Sequence, residues 1–343
     1  MKIRIVGIFP KYSALWNYGF YLSKYLSKNK RFDVKYINLW NNKKYHNEIL
    51  RAIALLNGIK TENCDVLILA APLLAKSLLK TRAKMKIIIL YDFYPLTIGK
   101  DVSLPVKLLI KNTYKYIKKA DILIPISNFG KQEAKKLYEL KNKIIKVNGG
   151  LNDFIFKKLN VKKEEIRKRL GIPNKTIFLH VGRDDYRKNF RFVLELFNKL
   201  KTDKQLVKIG EVSKSDLEFI KNHGLSRKII MMKNVDEKKL NEVYNASDIL
   251  LFPSLYEGLG LPPIEAMACG LPVIAAEKTG LKESCIKESF VELNLNKWEK
   301  KIEKILNDSK FRKKMIKKGL KYAKKFNWKN YSKKVEKIII QNF

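Results

Sequence analysis

Two successive runs of βα units predict an α/β chain built as two doubly wound, parallel-sheet domains facing each other across a cleft. Three observations carry this. Five short apolar runs separated by helix-length segments fill the first half: Ile3–Phe9, Val34–Leu39, Val66–Ala70, Ile87–Tyr91 and Ile122–Ile126. Continuous apolar stretches of this length suit strands covered on both faces, as in parallel sheets. The pattern then restarts at Ile177–Val181, Leu206–Ile209, Ile229–Met232, Ile249–Phe252 and Val273–Ala276. Between the runs lie Asn148, Gly149 and Gly150 and a polar, Lys-rich stretch to Lys175. Adjacent glycines accept backbone angles that other residues resist, which suits a bend between domains.

These elements place an N-terminal domain at residues 1–155 and a C-terminal domain at 156–327. Residues 328–343 read as a separate amphipathic helix that can pack back on the first domain. At 343 residues the chain is long enough for two domains with their own cores, and 46% hydrophobic residues excludes a disordered chain.

The longest apolar run, Val66 to Ala75, falls far short of the ~20 residues that span a bilayer. Lys2 and Arg4 interrupt the first strand before any leader-like apolar segment forms. The expected location is therefore the cytoplasm. Cys64, Cys269 and Cys285 are odd in number and widely spaced, which fits incidental thiols in a reducing compartment. His46, His180 and His223 are scattered, so no metal is assigned.

The formal charge is 72 minus 33, or +39. Attraction to an acidic lipid, nucleic acid or phosphorylated substrate is one reading, and a compositional bias towards Lys, Ile and Asn is the other. No zinc-finger, RNP1-like or Walker A segment supports nucleic acid as a partner.

The informative stretch runs from Phe252 to Val273, FPSLYEGLGLPPIEAMACGLPV. A strand ends at Phe252 and a loop follows. A helix is expected to begin near Pro263, a residue suited to the first helical position, and to stop at Gly270. Glu257 then lies in the loop and Glu265 in the first helical turn. Gly258 and Gly260 allow a ligand close to the backbone, and a helix N-terminus with free N–H groups favours an anion. A second cluster, VGRDDYRKN from Val181 to Asn189, also follows a strand, with Asn189 placed to cap the next helix. Ligands of open α/β sheets bind beyond the carboxyl ends of the strands, so both clusters can converge on one ligand. Cations there neutralise a diphosphate, and a carboxylate can accept two hydrogen bonds from a ribose diol. Together they read as a sugar-nucleotide cradle.

These residues resemble retaining glycosyltransferase family 4, whose GT-B fold sets two Rossmann-like domains around a cleft. The Glu257/Glu265 frame and VGRDDYRKN carry the resemblance. ISNFGKQE at Ile126–Glu133, NGGLND at Asn148–Asp153 and NASDILLFPS at Asn245–Ser254 support it. The resemblance implies a metal-independent hexosyltransferase of glycan biosynthesis. It would use a nucleotide diphosphate sugar, UDP- or GDP-linked, as substrate and need no further cofactor. Arg183 and Lys188 would grip the diphosphate as it leaves, and Glu265 would bind the ribose hydroxyls. Glu257 would contact the transferred sugar, helped by backbone N–H groups of Gly258, Leu259, Gly260 and Leu261. Asn234 and Val235 would lie near the base. The chain contains no Asp-x-Asp motif, the mark of metal-dependent transferases of the other major fold.

The first domain departs from the family. Where members carry a His-Asp or His-Glu pair, this chain has Tyr91-Asp92. Where many have a Gly-Gly loop after the first strand, it has Tyr12-Ser-Ala-Leu-Trp16-Asn-Tyr-Gly19. Asp92 is the catalytic candidate on the acceptor side, with Tyr91, Ser13 and Trp16 beside it; a strand-end turn role for Asp92 stands alongside. Finally, Lys107, Lys111, Lys115 and Lys118 share one helical face of residues 104–120, with Val106, Leu109, Ile110 and Ile117 roughly opposite. Such a helix either lies on an anionic membrane, making the enzyme peripheral with a glycan or lipid-linked acceptor, or is a domain helix with a solvated lysine face. Rival readings are a sugar-nucleotide epimerase, a glycoside phosphorylase, and a non-catalytic nucleotide-sugar-binding protein.

Overall fold

The computed structural model describes residues 1–11, 13–41 and 47–343. Tyr12 and His46, both singled out above, lie outside the described residues.

The chain forms two compact units, residues 1–150 with 326–343, and residues 151–325. The first holds a six-stranded, all-parallel sheet: β1 (Lys2–Gly7), β2 (Asp33–Asn38), β3 (Cys64–Leu69), β4 (Ala83–Leu90), β5 (Ile122–Pro125) and β6 (Lys143–Ile144), in the order β2-β1-β3-β4-β5-β6. The second repeats the design with β7 (Thr176–Val181), β8 (Lys204–Ile209), β9 (Ile229–Met232), β10 (Ile249–Phe252), β11 (Val273–Ala276) and β12 (Phe290–Val291), ordered β12-β11-β10-β7-β8-β9. All pairs are parallel. The apolar runs read from the sequence are strands of the two sheets; the central ones are almost wholly buried, as two helix-covered faces demand, whereas the edge strands β2 and β9 are partly exposed. Each run became one strand within a few residues; the two-residue edge strands β6 and β12 were too short to show as runs.

The division between units falls after Gly150 rather than at 155. Gly150 belongs to the first unit because it lies flat on the Trp328 indole: a Cβ there would stand 2.2 Å from the ring. Two residues on, Asn152 donates to Glu237 Oε2 at 3.0 Å and so belongs to the second. The return crossing precedes Phe326, two residues ahead of the expected helix.

That last helix, Trp328–Asn342, packs on helix Ala14–Leu26 of the first unit. Tyr18 meets Trp328 and Tyr331 edge-on at centroid distances of 4.9 and 5.4 Å, and Tyr21 stacks on Trp328 at 5.2 Å.

Residues 104–120 are not one helix. An α-helix, Leu104–Tyr114, runs into a 3-10 turn, Lys115–Lys119. Of the four apolar residues placed opposite the lysines, Ile110 and Ile117 are buried in the domain core, whereas Val106 is exposed. Leu104 and Leu108, not part of that set, are exposed as well.

Candidate functional site

In the second sheet β8 and β9 extend to one side of β7, and β10, β11 and β12 to the other. Chain direction across the sheet therefore reverses between β7 and β10, and the crevice beyond their carboxyl ends is where such sheets hold ligands. The Gly182–Lys188 loop leaves β7 and the Pro253–Leu261 loop leaves β10. The two are laced together: Leu255 N donates to Arg187 O at 2.7 Å, and Asn189 Nδ2 to Pro253 O at 3.3 Å.

At their junction Lys188 Nζ donates to Glu257 Oε1 at 2.6 Å. Both residues are buried, Lys188 at 9% and Glu257 at 6% exposure, so the pair is desolvated on both sides. A buried pair of this kind gives little net stability against an apolar replacement, and removing one partner is costly. The Lys188 stem lies against Gly182, where a Cβ would stand 3.0 Å from Lys188 Cγ, and its ammonium sits over the Phe252 ring at 5.4 Å. Arg183, one residue after Gly182, is exposed and, among the described residues, engaged by no hydrogen bond or ion pair.

Glu257 is held by its backbone as well. Its N–H donates to Thr279 Oγ1 at 2.9 Å, and its carbonyl accepts from Gly280 N at 2.9 Å. Gly280 must be glycine: a Cβ would stand 2.2 Å from Gly258 O. The Thr-Gly pair after β11 was passed over in the sequence, although a Gly just beyond a strand end is the available signal.

The following helix, Leu261–Ala268, starts two residues earlier than expected, with Gly260 (φ +87°) as its cap residue. Glu265 consequently lies in the second turn. Pro262 and Pro263 remove two of the free N–H groups expected at this helix start, leaving Leu261 and the Leu259–Gly260 backbone as its donors. Gly258, Leu259 and Gly260 are buried. At the far end Gly270 takes φ +75° and stops the helix as anticipated.

Glu265 is half-buried and accepts from Tyr244 OH at 2.7 Å. Burial pushes its carboxyl up to about 7; the Tyr244 bond, and the charge of Lys188 acting through space, oppose that rise. Lys188 thus acts on both glutamates. Asn189 precedes helix Phe190–Lys199 but does not cap it with its side chain, which is turned to Pro253 O; its φ is +53°. Asn234 (φ +51°) and Val235 follow β9, on the far side of β8 from β7.

Two residues beneath this loop were missed. His180 on β7 and Lys208 on β8 are register partners, both essentially inaccessible. Lys208 Nζ donates to Gly182 O and Ile209 O, holding the loop from below. Burial lowers its pKa to about 8, against the pull of Asp184. His180 Nδ1 lies 3.0 Å from Leu251 O, and Nε2 has no protein partner among the described residues. Burial, then the Lys208 charge, hold this imidazole well below its ordinary pKa. A lysine inside the apolar run Leu206–Ile209 was the legible clue.

The acceptor-side candidates lie in the first unit. Tyr91 is buried at 6% exposure, its hydroxyl donating to Ala70 O at 2.5 Å; that hydroxyl ties β4 to the loop after β3. Burial raises its pKa far above the phenol range. Asp92 is half-buried, and its Oδ1 accepts from Tyr94 N at 3.2 Å, the turn role weighed for it. Ser13 Oγ accepts from Trp16 N at 3.1 Å and caps the first helix. Trp16 is buried and stacks on Phe20 at 4.2 Å.

Comparison with known proteins bears on both fold and site. Residues 162–322 match the family model of glycosyl transferases group 1, a span that includes every residue expected to hold the donor. The serotype-specific mannosyltransferase WbdA of Escherichia coli is 26% identical over 234 residues, 64% of this chain; the chain spans 28% of that relative's length. Sucrose-phosphate synthase from Thermosynechococcus elongatus superposes with a TM-score of 0.78 at 18% identity, over 99% of this chain and 98% of that one. HepE of Anabaena, solved in complex with UDP-glucose, gives 0.74 at 15% identity over 99% and 100%. Residues 162–322, just under half of the chain, thus resemble the glycosyl transferases group 1 family, and the chain as a whole has the GT-B fold.

Proposed function

We propose that this protein is a retaining glycosyltransferase that moves a sugar from a nucleoside diphosphate sugar to a glycan or lipid-linked acceptor. The observation that carries the reading is the buried Lys188–Glu257 pair at the sheet's switch point, with exposed Arg183 earlier in the loop that leads to Lys188. In this reading Arg183 and Lys188 meet the diphosphate, and Glu265 accepts hydrogen bonds from the ribose. Asn234 and Val235 flank the base, and Glu257 with the Gly258–Leu261 backbone holds the sugar. HepE's complex with UDP-glucose supports a UDP-linked donor, and WbdA's name supports mannosyl transfer, which leaves GDP-linked donors in the panel to be tested.

As the anomeric C–O bond to the phosphate breaks, negative charge grows on the leaving diphosphate, and fixed cations already in place stabilise it without reorganisation. The acceptor hydroxyl attacks from the same face, forms the new C–O bond, and passes its proton to the departing phosphate oxygen. Asp92 orients the acceptor or sugar. The reaction needs neither a separate general base nor a metal ion. The protein acts in the cytoplasm, with residues 104–120 facing an anionic membrane.

The test is a thermal-shift panel of nucleotide sugars followed by transfer assays. A ligand at 100 times its Kd stabilises by ~2.7 kcal/mol. Absence of a shift with every UDP- and GDP-sugar, or transfer unchanged in Glu257→Gln and Arg183→Ala, refutes the reading. Turnover of the donor without an acceptor would indicate an epimerase instead.

A further inference from the structure

The first unit presents an apolar surface that none of its described residues covers. Helix Glu48–Asn57 packs against helix Leu104–Tyr114. Ile49, Ile53 and Leu56, spaced i, i+4, i+7, form one line along the first of these helices, and they are 72%, 48% and 39% exposed. Leu104 and Leu108, one turn apart on the second, are 68% and 58% exposed. Trp40, at 37% exposure, stacks under the Arg51 guanidinium at 4.0 Å beside the first helix. Scattered exposed leucines are ordinary; lines of them on two packed helices are not.

The charges around these lines are one-sided. Segments 48–60, 72–80 and 104–119 carry nine Lys and Arg residues and one acidic residue, Glu48, against 72 and 33 in the whole chain. Lys60 and Lys80 line a groove of ≈ 610 Å³ shared with Leu50, Ile53 and Ile59. Lys111 and Lys115 continue the exposed line of Leu104 and Leu108.

We propose that these two helices form a single docking face for an anionic lipid bilayer, with Ile49, Ile53, Leu56, Leu104 and Leu108 entering the interface and the lysines meeting the headgroups. The lysine-rich surround complements acidic headgroups and opposes a second copy of a chain carrying +39. Trp40 suits the boundary between headgroup and hydrocarbon. The proposal widens the lipid contact suggested for 104–120 to a second helix that is not itself basic. It stands apart from sugar transfer, because vesicle binding is read without any nucleotide sugar.

The experiment is flotation of the full chain with vesicles of phosphatidylcholine alone or mixed with phosphatidylglycerol, at low and high salt. Binding to the anionic vesicles only, weakened by salt, is expected. Lys111→Gln with Lys115→Gln should weaken binding roughly 30-fold, about five-fold per cation. Ile49→Ser with Ile53→Ser should weaken it roughly ten-fold or more with every charge retained. As a control, Lys313→Gln with Lys314→Gln in the second unit should change it less than two-fold. Ile53→Trp should gain fluorescence quenching by brominated lipid, and a cooperative thermal melt close to that of the unchanged protein should show that each variant is folded. Equal loss in the control pair, or full binding by the serine variant, overturns the proposal. So does a concentration-dependent dimer abolished by the serine changes, which would assign the face to a second copy.

Discussion

Replacing Glu265 with Gln should make the unliganded protein more stable while weakening its hold on nucleotide. The folded-state carboxyl titrates at about 7, against 4.5 for the unperturbed group, chiefly because burial disfavours its charge. The protonated form suits the fold and the ionised form does not, so this residue's contribution falls as pH rises from about 4.5 through about 7. Its penalty is about 1 kcal/mol at pH 5 and has a ceiling of about 3 kcal/mol at pH 8, since solvent reaching the half-buried group screens part of it. Gln keeps an acceptor for the Tyr244 hydroxyl and cannot ionise. Urea denaturation of both proteins at pH 5 and pH 8 should therefore show the variant's advantage growing by up to about 2 kcal/mol. A ribose diol donating to the carboxylate favours the ionised form, so wild-type affinity for a nucleoside diphosphate should rise about ten-fold from pH 6 to pH 8, with proton release. Calorimetry in buffers of different ionisation heat reads that proton. A stability difference that does not change with pH would refute the argument from burial. Affinity that is flat in both proteins would remove Glu265 from the ribose.

Three further outcomes are expected. Lys188→Met should cost about 3–5 kcal/mol by stranding the buried Glu257 carboxylate, and adding Glu257→Gln should recover much of it in a double-mutant cycle. Gly280→Ala, whose methyl would stand 2.2 Å from Gly258 O, should displace the Glu257 loop; donor affinity should drop with a stability loss of about 1–3 kcal/mol, read by titration and melting. Gly150→Ala, placed 2.2 Å from the Trp328 ring, should loosen the last helix and raise amide exchange along Trp328–Asn342 while leaving the 183–188 loop unchanged.

The fold was legible because central parallel strands must be apolar on both faces, and Val66–Ala70 or Ile249–Phe252 admit few other readings. The meeting of the two loops that carry Lys188 and Glu257 was legible because both lie in frames whose glycines and prolines mark strand ends. What the sequence hid were effects of packing. Nothing in the spacing announces that Lys208 lies beneath Gly182, that Thr279 and Gly280 clamp Glu257, or that Pro262 and Pro263 thin the anion seat expected at the helix start. The lysine stripe of 104–120 was visible and its apolar complement was placed in part: Ile110 and Ile117 meet the core while Val106 does not, since periodicity alone does not fix how far a helix turns its apolar side inward. Tyr91 and Ser13 were read as site residues; in the fold a strand tether and a helix cap use those side chains.

The seating of Trp328 among Tyr18, Tyr21 and Gly150 means that the first unit is assembled from two segments that flank the second, residues 1–150 and 326–343. On the ribosome the 151–325 segment can finish folding while the earlier-made half still waits for its closing piece. Until residues 326–343 emerge, an unsealed aromatic seam stays open to chaperones and to aggregation. The half synthesised first is the half completed last.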